Sequence, residues 1–351
     1  MTGERAANVG TVSPGRIPLA AVHIHKTKRK TMTSAEILML GPLAPALPRL
    51  EARFKVHRLW EAADRQALIA DIAPRIRGIA TGGHVKTDAA LMDQFPNLEI
   101  VSNFGVGYDS VDAAYAGTRG IIVTNTPDVL TEEVADTAMG LLLMTAREFG
   151  AAERYVREGQ WQARGAYPLT RGTLRDKTLG IVGMGRIGKA IADRARAFGL
   201  KLAYHNRRPA ADTDIPYFAS LVDLAKNVDI LLSVLPGGAA THHIIGKEVL
   251  EALGPEGIVI NIGRGSVIDE AALIEALKTG KIYSAGLDVF ETEPCYPKEL
   301  AAFDRVVLLP HVGSASQYTR QLMGNLCADN LISWFETGKP ITPVAETPFK
   351  A

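Results

Sequence analysis

The 351-residue sequence has only two cysteines, Cys295 and Cys327, and they do not form a Cys-x-x-Cys pair. Two separated cysteines cannot supply the disulfide framework of a small secreted protein. Long hydrophobic runs are also missing, because the longest, at residues 139–146, is far shorter than the roughly 20 apolar residues of a membrane-spanning helix. These absences predict a reduced, cytoplasmic setting and no membrane partner.

The chain lacks an excess of charge of either sign, since 39 basic and 38 acidic side chains give a net charge of +1. It therefore has no overall positive field to hold nucleic acid. Residues 1–31 contain six basic side chains and one acidic side chain, Glu4, so the rest of the chain is mildly acidic. Residues 1–34 show no helical or strand period, and we interpret them as a disordered leader. The alternative is a nucleic-acid or membrane arm.

Hydrophobic residues make up 47% and charged residues 22% of the chain, as in globular proteins, and its length suggests two domains. From residue 36 onward, β-type runs alternate with helical segments such as 64–72 and 88–95, which is typical of parallel βαβ units. The predicted strands lie at 37–41, 54–59, 76–81, 98–103 and 121–125, and then near 178–182, 201–205, 229–234, 257–262, 283–289 and 306–309.

A long helix is predicted between the two sets of strands, over residues 132–159, with Thr131 as its N-cap. Its middle, at residues 135–146, is apolar almost all round, which predicts burial between domains or subunits. A last helix is predicted over residues 316–336, behind a capping box formed by Ser314 and Gln317. Its position suggests that the chain returns there to its first domain.

The fold class expected from this order is α/β, with two doubly wound domains. A smaller, flavodoxin-like substrate (catalytic) domain is predicted at residues 35–131 and 318–351. A Rossmann-type NAD(P)-binding domain is predicted at residues 132–317.

The sharpest motif is Gly183-x-Gly185-x-x-Gly188, which leaves a β-rich run and opens a helical segment. Gly183 permits a tight turn, Gly185 lets the backbone approach a pyrophosphate, and Gly188 lets helix and strand pack closely. The phosphates would then lie on free N–H groups at the helix N-terminus, where Arg186 and Ile187 stand. The complete strand–turn–helix–strand unit predicts dinucleotide binding.

The run Asn206-Arg207-Arg208 indicates which dinucleotide is bound. NAD sites place an acidic residue about 20 positions past the glycine motif, on the ribose 2′-hydroxyl, but the first acid here is Asp212. Paired guanidinium groups bind a 2′-phosphate well, whereas an acid would repel it. The sequence therefore favours NADPH over NADH, unless the two arginines are only a solvated loop edge.

Three polar residues, Arg264, Glu293 and His311, each follow one of the last predicted strands. Because the carboxyl ends of the strands line the ligand crevice of an open α/β sheet, we expect all three at the nicotinamide end. An arginine can clamp a carboxylate, a histidine can exchange a proton near neutral pH, and a neighbouring carboxylate favours the imidazolium. Taken singly, each also fits a structural role in a loop.

No metal site is predicted, because His242 and His243 are adjacent, are expected to point apart, and have no carboxylate cluster nearby. Trp161 either shapes a pocket or packs against the protein, and packing is the simpler interpretation. No nucleophile elbow of a hydrolase is present.

Together the motifs resemble those of the D-isomer-specific 2-hydroxyacid dehydrogenases, most closely their glyoxylate/hydroxypyruvate reductase branch. The resemblance covers about Glu36 to Val344. It rests on Asn103–Asp109, Thr126–Leu130, Leu179–Gly188, Asn261–Ser266, Ala285–Phe290 with Glu293-Pro294, and Pro310–Ala315.

The resemblance implies reduction of a small 2-oxo acid, glyoxylate or hydroxypyruvate, to the D-2-hydroxy acid by hydride transfer from NADPH. Arg264 would bind the substrate carboxylate and polarise the keto group, His311 would transfer the proton, and Glu293 would keep His311 protonated. The substrate-binding residues it implies are Val106, Gly107, Arg264 and Ser314.

The resemblance also implies that Asp288 hydrogen-bonds the nicotinamide amide and that Leu235 and Pro236 pass near the adenosine. Its cofactor-binding residues would be Gly183, Gly185, Arg186, Ile187, Gly188, Asn206, Arg207, Arg208, Leu235, Pro236, Ile262, Gly263, Asp288 and Gly313. The family forms homodimers through the larger domain, which fits the apolar helix at residues 132–149.

Two alternatives remain open. Larger 2-oxo acids, such as 2-ketogluconate and hydroxyphenylpyruvate, present the same carboxylate and ketone to Arg264 and His311. The C-terminal-binding corepressors have a similar fold and a similar set of three residues, and they use a dinucleotide to regulate partner binding. A turnover assay with a panel of 2-oxo acids distinguishes the enzymes, and a peptide pull-down tests the corepressor.

A chain shortened to begin at Met32 should fold and turn over like the full chain, because the preceding residues show no period that would face a core. The measurement is the melting temperature and the steady-state rate of both proteins. Loss of activity, or a large drop in melting temperature, would contradict the interpretation of residues 1–34 as a leader.

Overall fold

The strands of the chain form two parallel β-sheets in a computed structural model, which describes residues 35–83 and 85–349. The predicted leader at residues 1–34 lies outside the described residues, as do the last two residues of the predicted substrate domain. The α/β class expected from the alternating pattern is confirmed. The domain boundaries stay a prediction.

The first sheet has five strands in the order β2-β1-β3-β4-β5, the flavodoxin-like order. Its strands are β1 (Glu36–Met39), β2 (Lys55–Arg58), β3 (Ile76–Gly82), β4 (Ile100–Phe104) and β5 (Ile122–Thr124). The helices between them are α1 (Leu47–Glu51), α2 (Arg65–Ile72), α3 (Ala89–Met92) and α4 (Ala113–Thr118). Every residue of β4 is buried, as expected for a strand covered on both faces.

The second sheet has seven strands in the order β12-β11-β10-β9-β6-β7-β8. Its strands are β6 (Thr178–Val182), β7 (Lys201–His205), β8 (Tyr217–Phe218), β9 (Ile230–Ser233), β10 (Ile258–Asn261), β11 (Ser284–Leu287) and β12 (Val307–Leu308). From β6 the strands are added on one side as far as β8, and from β9 they are added on the other side. A doubly wound sheet binds its ligand at such a switch point, which here lies between β6 and β9. The two-residue strand β8 was missed by the sequence pattern because it is too short to show a period.

Helices cover both faces of this second sheet. They are α8 (Arg186–Ala197), α9 (Leu221–Lys226), α10 (Lys247–Leu253), α11 (Glu270–Lys278) and α12 (Lys298–Ala301). They follow the strands in the alternating order that the sequence predicts.

The single helix predicted over residues 132–159 is wrong. Two helices lie there, namely α5 (Thr131–Ala146) and α6 (Phe149–Arg157), and a third, α7 (Gln160–Arg164), follows directly after that range. The first break falls at Glu148, whose φ of +53° is left-handed and incompatible with a continuing helix. Thr131 is not the N-cap either, because it is the first helical residue and no side chain caps the helix.

The apolar face of α5 is covered by the chain itself. Its buried side chains include Val134, Leu141 and Leu142, and the helix lies directly on β11. A Cβ atom built on Gly286 in β11 would overlap the Thr145 hydroxyl and would lie 2.9 Å from Ile260 Cδ1. The apolar composition of this helix is therefore explained within one protomer, and it no longer supports a dimer.

The last helix, α13 (Gln317–Thr337), returns to the first sheet. On β4 the Ser102 hydroxyl donates to the Cys327 carbonyl at 2.9 Å. The capping box predicted at Ser314 is wrong by two residues, because it is the Ser316 hydroxyl that accepts the Thr319 N–H at 3.1 Å. No helix of the described residues is long and apolar enough to span a bilayer.

Gly286→Ala should destabilise the protein by about 1–3 kcal/mol, because the added methyl group overpacks the contact between β11 and α5. The matched control is Gly140→Ala within α5, where an added Cβ meets no atom within 4 Å and a helix-interior alanine should stabilise by about 1 kcal/mol. Urea unfolding of the three proteins measures both effects. A neutral Gly286→Ala would contradict the packing described here.

Candidate active site

The predicted polar residues meet at one edge of the second sheet. The backbone hydrogen bonds of the strands continue past their ends, since the Asp288 N–H donates to the Asn261 carbonyl at 3.0 Å and the His311 N–H donates to the Asp288 carbonyl at 2.8 Å. The loops that carry Arg264 and Glu293 therefore start from neighbouring positions on one edge. This continuation of the ladder fixes where the functional side chains begin.

A buried asparagine shapes the turn that carries Arg264. Asn261 is 1% exposed, its amide donates to the Arg264 carbonyl at 2.8 Å, and its side-chain oxygen accepts the Gly263 N–H at 3.1 Å. Gly263 has no alternative at this position, because a Cβ there would lie 2.5 Å from the Leu235 carbonyl oxygen. The turn is thus set by local hydrogen bonding and close packing.

The Arg264 guanidinium reaches the loop after β4. Its Nε donates to Asp109 Oδ2 at 2.7 Å, and Nη1 donates to the Gly263 carbonyl at 2.9 Å. A Cβ atom built on Gly107 would overlap the guanidinium. The structure therefore brings Arg264 and Gly107 together, as predicted, and only glycine at position 107 permits the approach.

Two asparagines hold the loop that includes Val106 and Gly107. The Asn103 amide donates to the Gly107 carbonyl at 2.9 Å, and the Asn125 amide donates to the Val106 carbonyl at 2.9 Å. Because these carbonyls are turned toward the protein, the loop is rigid where it faces Arg264. Asn103 is 1% exposed, so its hydrogen bonds are protected from water.

His311 and Glu293 form the pair that the sequence predicts. His311 Nδ1 lies 2.6 Å from Glu293 Oε2, and the exposed fractions of the two side chains are 39% and 10%. An ionised carboxylate only accepts hydrogen bonds, so in this pair the proton lies on Nδ1. His311 has a φ of +54°, a left-handed conformation that few residues other than glycine adopt.

The turn before Glu293 is packed tightly in place. The Phe290 N–H donates to Glu293 Oε1 at 2.8 Å, and a Cβ atom on Gly265 would overlap the Phe290 carbonyl. Glu270 holds the neighbouring residue, because its carboxylate accepts the Glu291 N–H at 2.6 Å. One oxygen of the Glu293 carboxylate is thus bound by the backbone of this turn, while the other contacts His311.

Asp288 has a structural role that the sequence did not indicate. It is 1% exposed, and its two carboxylate oxygens accept the N–H groups of Val312 at 2.7 Å and Gly313 at 2.8 Å. Burial raises the pKa of the Asp288 carboxyl, and the two N–H donors oppose that rise. The carboxylate therefore fixes the turn from His311 to the half-buried Ser314.

The glycine motif forms the predicted strand–turn–helix. Gly183 has a φ of +110°, and a Cβ on Gly188 would overlap the Gly183 carbonyl. By contrast, a Cβ on Gly185 would meet no atom within 4 Å. Gly185 precedes α8, and no side chain caps the N–H groups at the start of that helix, where Arg186 and Ile187 lie. This is the arrangement that binds a phosphate.

The residues after β7 divide into two kinds. The Asn206 side-chain oxygen accepts the Met184 N–H at 2.7 Å, so Asn206 shapes the glycine loop. Arg207 and Arg208 are exposed, and neither has an ion-pair partner among the described residues. Asp212, the first acid, pairs with Lys189, which lowers the pKa of Asp212. Two exposed cations are thus available beside the glycine loop.

The loop after β9 connects the glycine motif with Arg264. Leu235 Cδ2 lies 3.2 Å from the position of a Cβ on Gly183, and the Pro236 carbonyl accepts the Thr241 hydroxyl at 2.8 Å. A Cβ on Gly313 would lie 3.5 Å from Ile262 Cδ1. Leu235 therefore lies beside the glycine loop, and Ile262 lies beside the turn that follows His311.

Two predicted details fail. The rings of His242 and His243 do not point apart but stack with centroids 3.8 Å apart, and His243 forms an ion pair with Glu291. Trp161 does not pack against its own chain, because 63% of it is exposed. Within residues 35–83 and 85–349, no three histidine, cysteine or acidic side chains are grouped as metal ligands.

Sequence reasoning also missed Asp109 and Asn125 as parts of the site. Asp109 pairs with a residue 155 positions away, and no periodicity reports such a distance. The available signal is a charged residue at the end of a glycine-rich run, Asn103–Asp109.

Comparison with known proteins identifies the family. The sequence model of the D-isomer-specific 2-hydroxyacid dehydrogenase NAD-binding domain matches residues 139–313. The structure of an NADPH-dependent glyoxylate/hydroxypyruvate reductase from Sinorhizobium meliloti, with NADP and malonate, superposes with a TM-score of 0.87 at 52% identity. The match covers 91% of this chain and 99% of the Sinorhizobium meliloti chain.

Two relatives are similar along their whole length. Hydroxyphenylpyruvate reductase from Plectranthus scutellarioides is 44% identical over 315 residues, 89% of this chain and 100% of its own. Glyoxylate/hydroxypyruvate reductase A from Arabidopsis thaliana is 44% identical over 314 residues, again 89% and 100%.

The matched NAD-binding segment contains the glycine loop, Arg264, Glu293 and His311. Its cofactor is accordingly a nicotinamide dinucleotide. The chain is an oxidoreductase that belongs to the D-isomer-specific 2-hydroxyacid dehydrogenase family.

Proposed function

We propose that the chain reduces glyoxylate and hydroxypyruvate to the corresponding 2-hydroxy acids with NADPH. The observation that carries this proposal is the convergence of Arg264, Gly107 and the Glu293–His311 pair at one edge of the second sheet. The Sinorhizobium meliloti structure supports it, because that protein is an NADPH-dependent glyoxylate/hydroxypyruvate reductase. The experiment that tests it is steady-state NADPH oxidation with a panel of 2-oxo acids.

Arg264 is the proposed binding site for the substrate carboxylate. Asp109 and the Gly263 carbonyl occupy Nε and one donor of Nη1, which leaves Nη2 and a second Nη1 donor for a ligand. Two parallel N–H donors match the geometry of a carboxylate. The backbone N–H groups of Val106 and Gly107, together with Ser314, would hold the same group from the opposite side.

His311 is the proposed proton donor in the direction of reduction. When bound, the reduced nicotinamide dinucleotide supplies the hydride that reaches the keto carbon. The keto oxygen then gains negative charge, and His311 Nε2 can give it a proton because Nδ1 is occupied by Glu293. The Glu293 carboxylate stabilises the imidazolium and holds the ring in place.

The residues present fit a dinucleotide with a 2′-phosphate. The uncapped start of α8 and the open space at Gly185 would take the pyrophosphate. Arg207 and Arg208 would bind the 2′-phosphate, since the nearby acid Asp212 is already neutralised by Lys189. We assign the nicotinamide amide to Asp288, whose oxygens each keep a second lone pair.

A second candidate substrate is an aryl 2-oxo acid such as hydroxyphenylpyruvate. The relative from Plectranthus scutellarioides, a hydroxyphenylpyruvate reductase, favours it. The carboxylate and ketone of both substrate classes would meet Arg264 and His311 alike, so the distinction lies in the rest of the pocket. The same panel of 2-oxo acids decides between them.

We also propose a homodimer. Its support is a group of large apolar side chains that are at least 46% exposed in one stretch of chain, namely Phe149, Val156, Trp161 and Leu169. Exposed apolar groups of this size commonly mark an interface. The molar mass in solution, from light scattering, tests the proposal.

Replacing both Arg207 and Arg208 with alanine should remove most of the preference for NADPH over NADH. Each charge-assisted hydrogen bond to the phosphate contributes on the order of 1.5–3 kcal/mol, so the ratio of kcat/KM values should fall at least tenfold. Arg196→Ala is the matched control, because Arg196 is paired with Asp193 and Asp214. Equal use of both cofactors by the unmodified protein would contradict the assignment.

His311→Gln should lower kcat by about 10²–10⁴-fold and leave NADPH binding nearly unchanged, because glutamine keeps a hydrogen-bond donor but transfers no proton. The matched control is His57→Gln, since His57 Nε2 also lies 2.6 Å from a carboxylate, that of Glu36, in the first sheet. Single-turnover kinetics and a fluorescence titration with NADPH give the two readouts. Normal turnover by His311→Gln would refute the role of His311.

Glu293→Gln should lower kcat for reduction about tenfold or more, because glutamine removes the charge-assisted hydrogen bond that orients His311 through Nδ1. The measurement is kcat for glyoxylate at saturating NADPH. The matched control is Glu36→Gln, which removes the carboxylate beside His57 in the first sheet. A normal kcat in Glu293→Gln would contradict the role proposed for Glu293.

A further inference from the structure

Arg320, in the first turn of α13, stands out among the cations of the chain. It is half-buried, and its guanidinium carbon lies 5.7 Å from the centroid of the Phe104 ring. Among the described residues it is the one partly buried arginine with neither an ion pair nor a hydrogen bond. The others have such partners, for example Arg194 with Asp136 and Arg305 with the Tyr283 carbonyl.

Leaving a partly buried guanidinium without partners is unfavourable. Its five N–H donors lose water on burial, and an aromatic ring replaces only part of that interaction. Burial lowers the pKa of Arg320, while the negative charge of Asp288 opposes the change. A guanidinium nevertheless stays charged at neutral pH. The donors of Arg320 are therefore available to a ligand.

The surroundings of Arg320 belong to the two halves of the proposed site. Phe104 is the last residue of β4 and directly precedes the loop with Val106 and Gly107. Asp288, whose charge acts on Arg320, holds the turn that begins at His311. Arg320 thus lies against the residue that leads into the proposed carboxylate loop, and it is within electrostatic reach of the carboxylate that holds the His311 turn.

We propose that Arg320 binds an oxygen-bearing substituent on the third carbon of the 2-oxo acid, a hydroxyl or a carboxylate. This assignment rests on the proposed function. In that function the substrate carboxylate lies on Arg264 and the keto oxygen lies on His311. The third arm of the keto carbon is then the part of the substrate without a polar partner, and Arg320 is the partly buried arginine of the described residues that lacks one.

The test compares hydroxypyruvate, which carries a hydroxyl on its third carbon, with glyoxylate, which has no third carbon. In Arg320→Met, the ratio of kcat/KM for hydroxypyruvate to that for glyoxylate should fall about tenfold or more, the effect of one charge-assisted hydrogen bond. Arg320→Lys should recover part of the ratio. An equal loss for both substrates, or no loss for either, overturns the proposal.

The matched control is Arg77→Met. The Arg77 guanidinium carbon also lies over a phenylalanine ring, 5.0 Å from the centroid of Phe335 on α13, but it pairs with Glu99 away from the proposed site. This control removes a cation–π contact with the same change of side chain. A similar drop in the substrate ratio for Arg77→Met would mean that packing on α13, rather than ligand binding, causes the effect, and would overturn the proposal.

A second readout separates this proposal from the proposed function. Thermal stabilisation of the NADP⁺-saturated protein by each oxo acid needs no turnover. Hydroxypyruvate should stabilise the unmodified protein more than glyoxylate does, and Arg320→Met should abolish the difference. If the unmodified protein turns over neither acid, the proposed function fails, whereas the Arg320 assignment fails if the difference in stabilisation is absent or survives in Arg320→Met.

Discussion

The structure of the site depends on a ladder of backbone hydrogen bonds that continues past the ends of three neighbouring strands. The bonds from Asp288 to Asn261 and from His311 to Asp288 join the loops after β10, β11 and β12. Parallel strands end at one edge of a sheet, so residues far apart in sequence are brought side by side. Asn261 and Asp288 are each 1% exposed. Their side-chain hydrogen bonds to the backbone fix the turns that follow, and burial protects those bonds from water.

This rigidity has a chemical consequence. A hydrogen bond between His311 and Glu293 contributes to catalysis only if the ring is already oriented when the substrate arrives. His311 keeps a φ of +54°, a conformation that costs free energy and persists only where its neighbours enforce it. The carboxylate of Asp288, through Val312 and Gly313, supplies that constraint.

Sequence patterns predicted those parts of the fold whose signal is local. Strands β6 and β7 have the predicted bounds, because a glycine motif and a clear change of composition mark them. The prediction of one continuous helix at residues 132–159 was wrong, because apolar composition does not reveal that a single residue, Glu148, has a left-handed backbone conformation. The N-cap of α13 failed because both Ser314 and Ser316 suit a cap and only backbone geometry distinguishes them.

The site divides in the same way. Arg264, Glu293 and His311 were predicted because each follows a strand, and topology alone then places them together. The partner of Arg264 was missed, because Asp109 belongs to the other sheet and its approach depends on glycine at position 107. Contacts between the two sheets are set by how they pack, and such packing leaves no periodic trace in the sequence.

Charge within the site is nearly balanced, which bears on how a small anion is selected. Arg264 faces Asp109, His311 faces Glu293, and Arg320 lies near Asp288. A balanced site exerts little long-range pull on anions, and the rest of the chain is mildly acidic. Recognition of an oxo acid must then come from donors aimed at particular oxygens. Removing one such donor should alter the choice among substrates more than the affinity for anions in general.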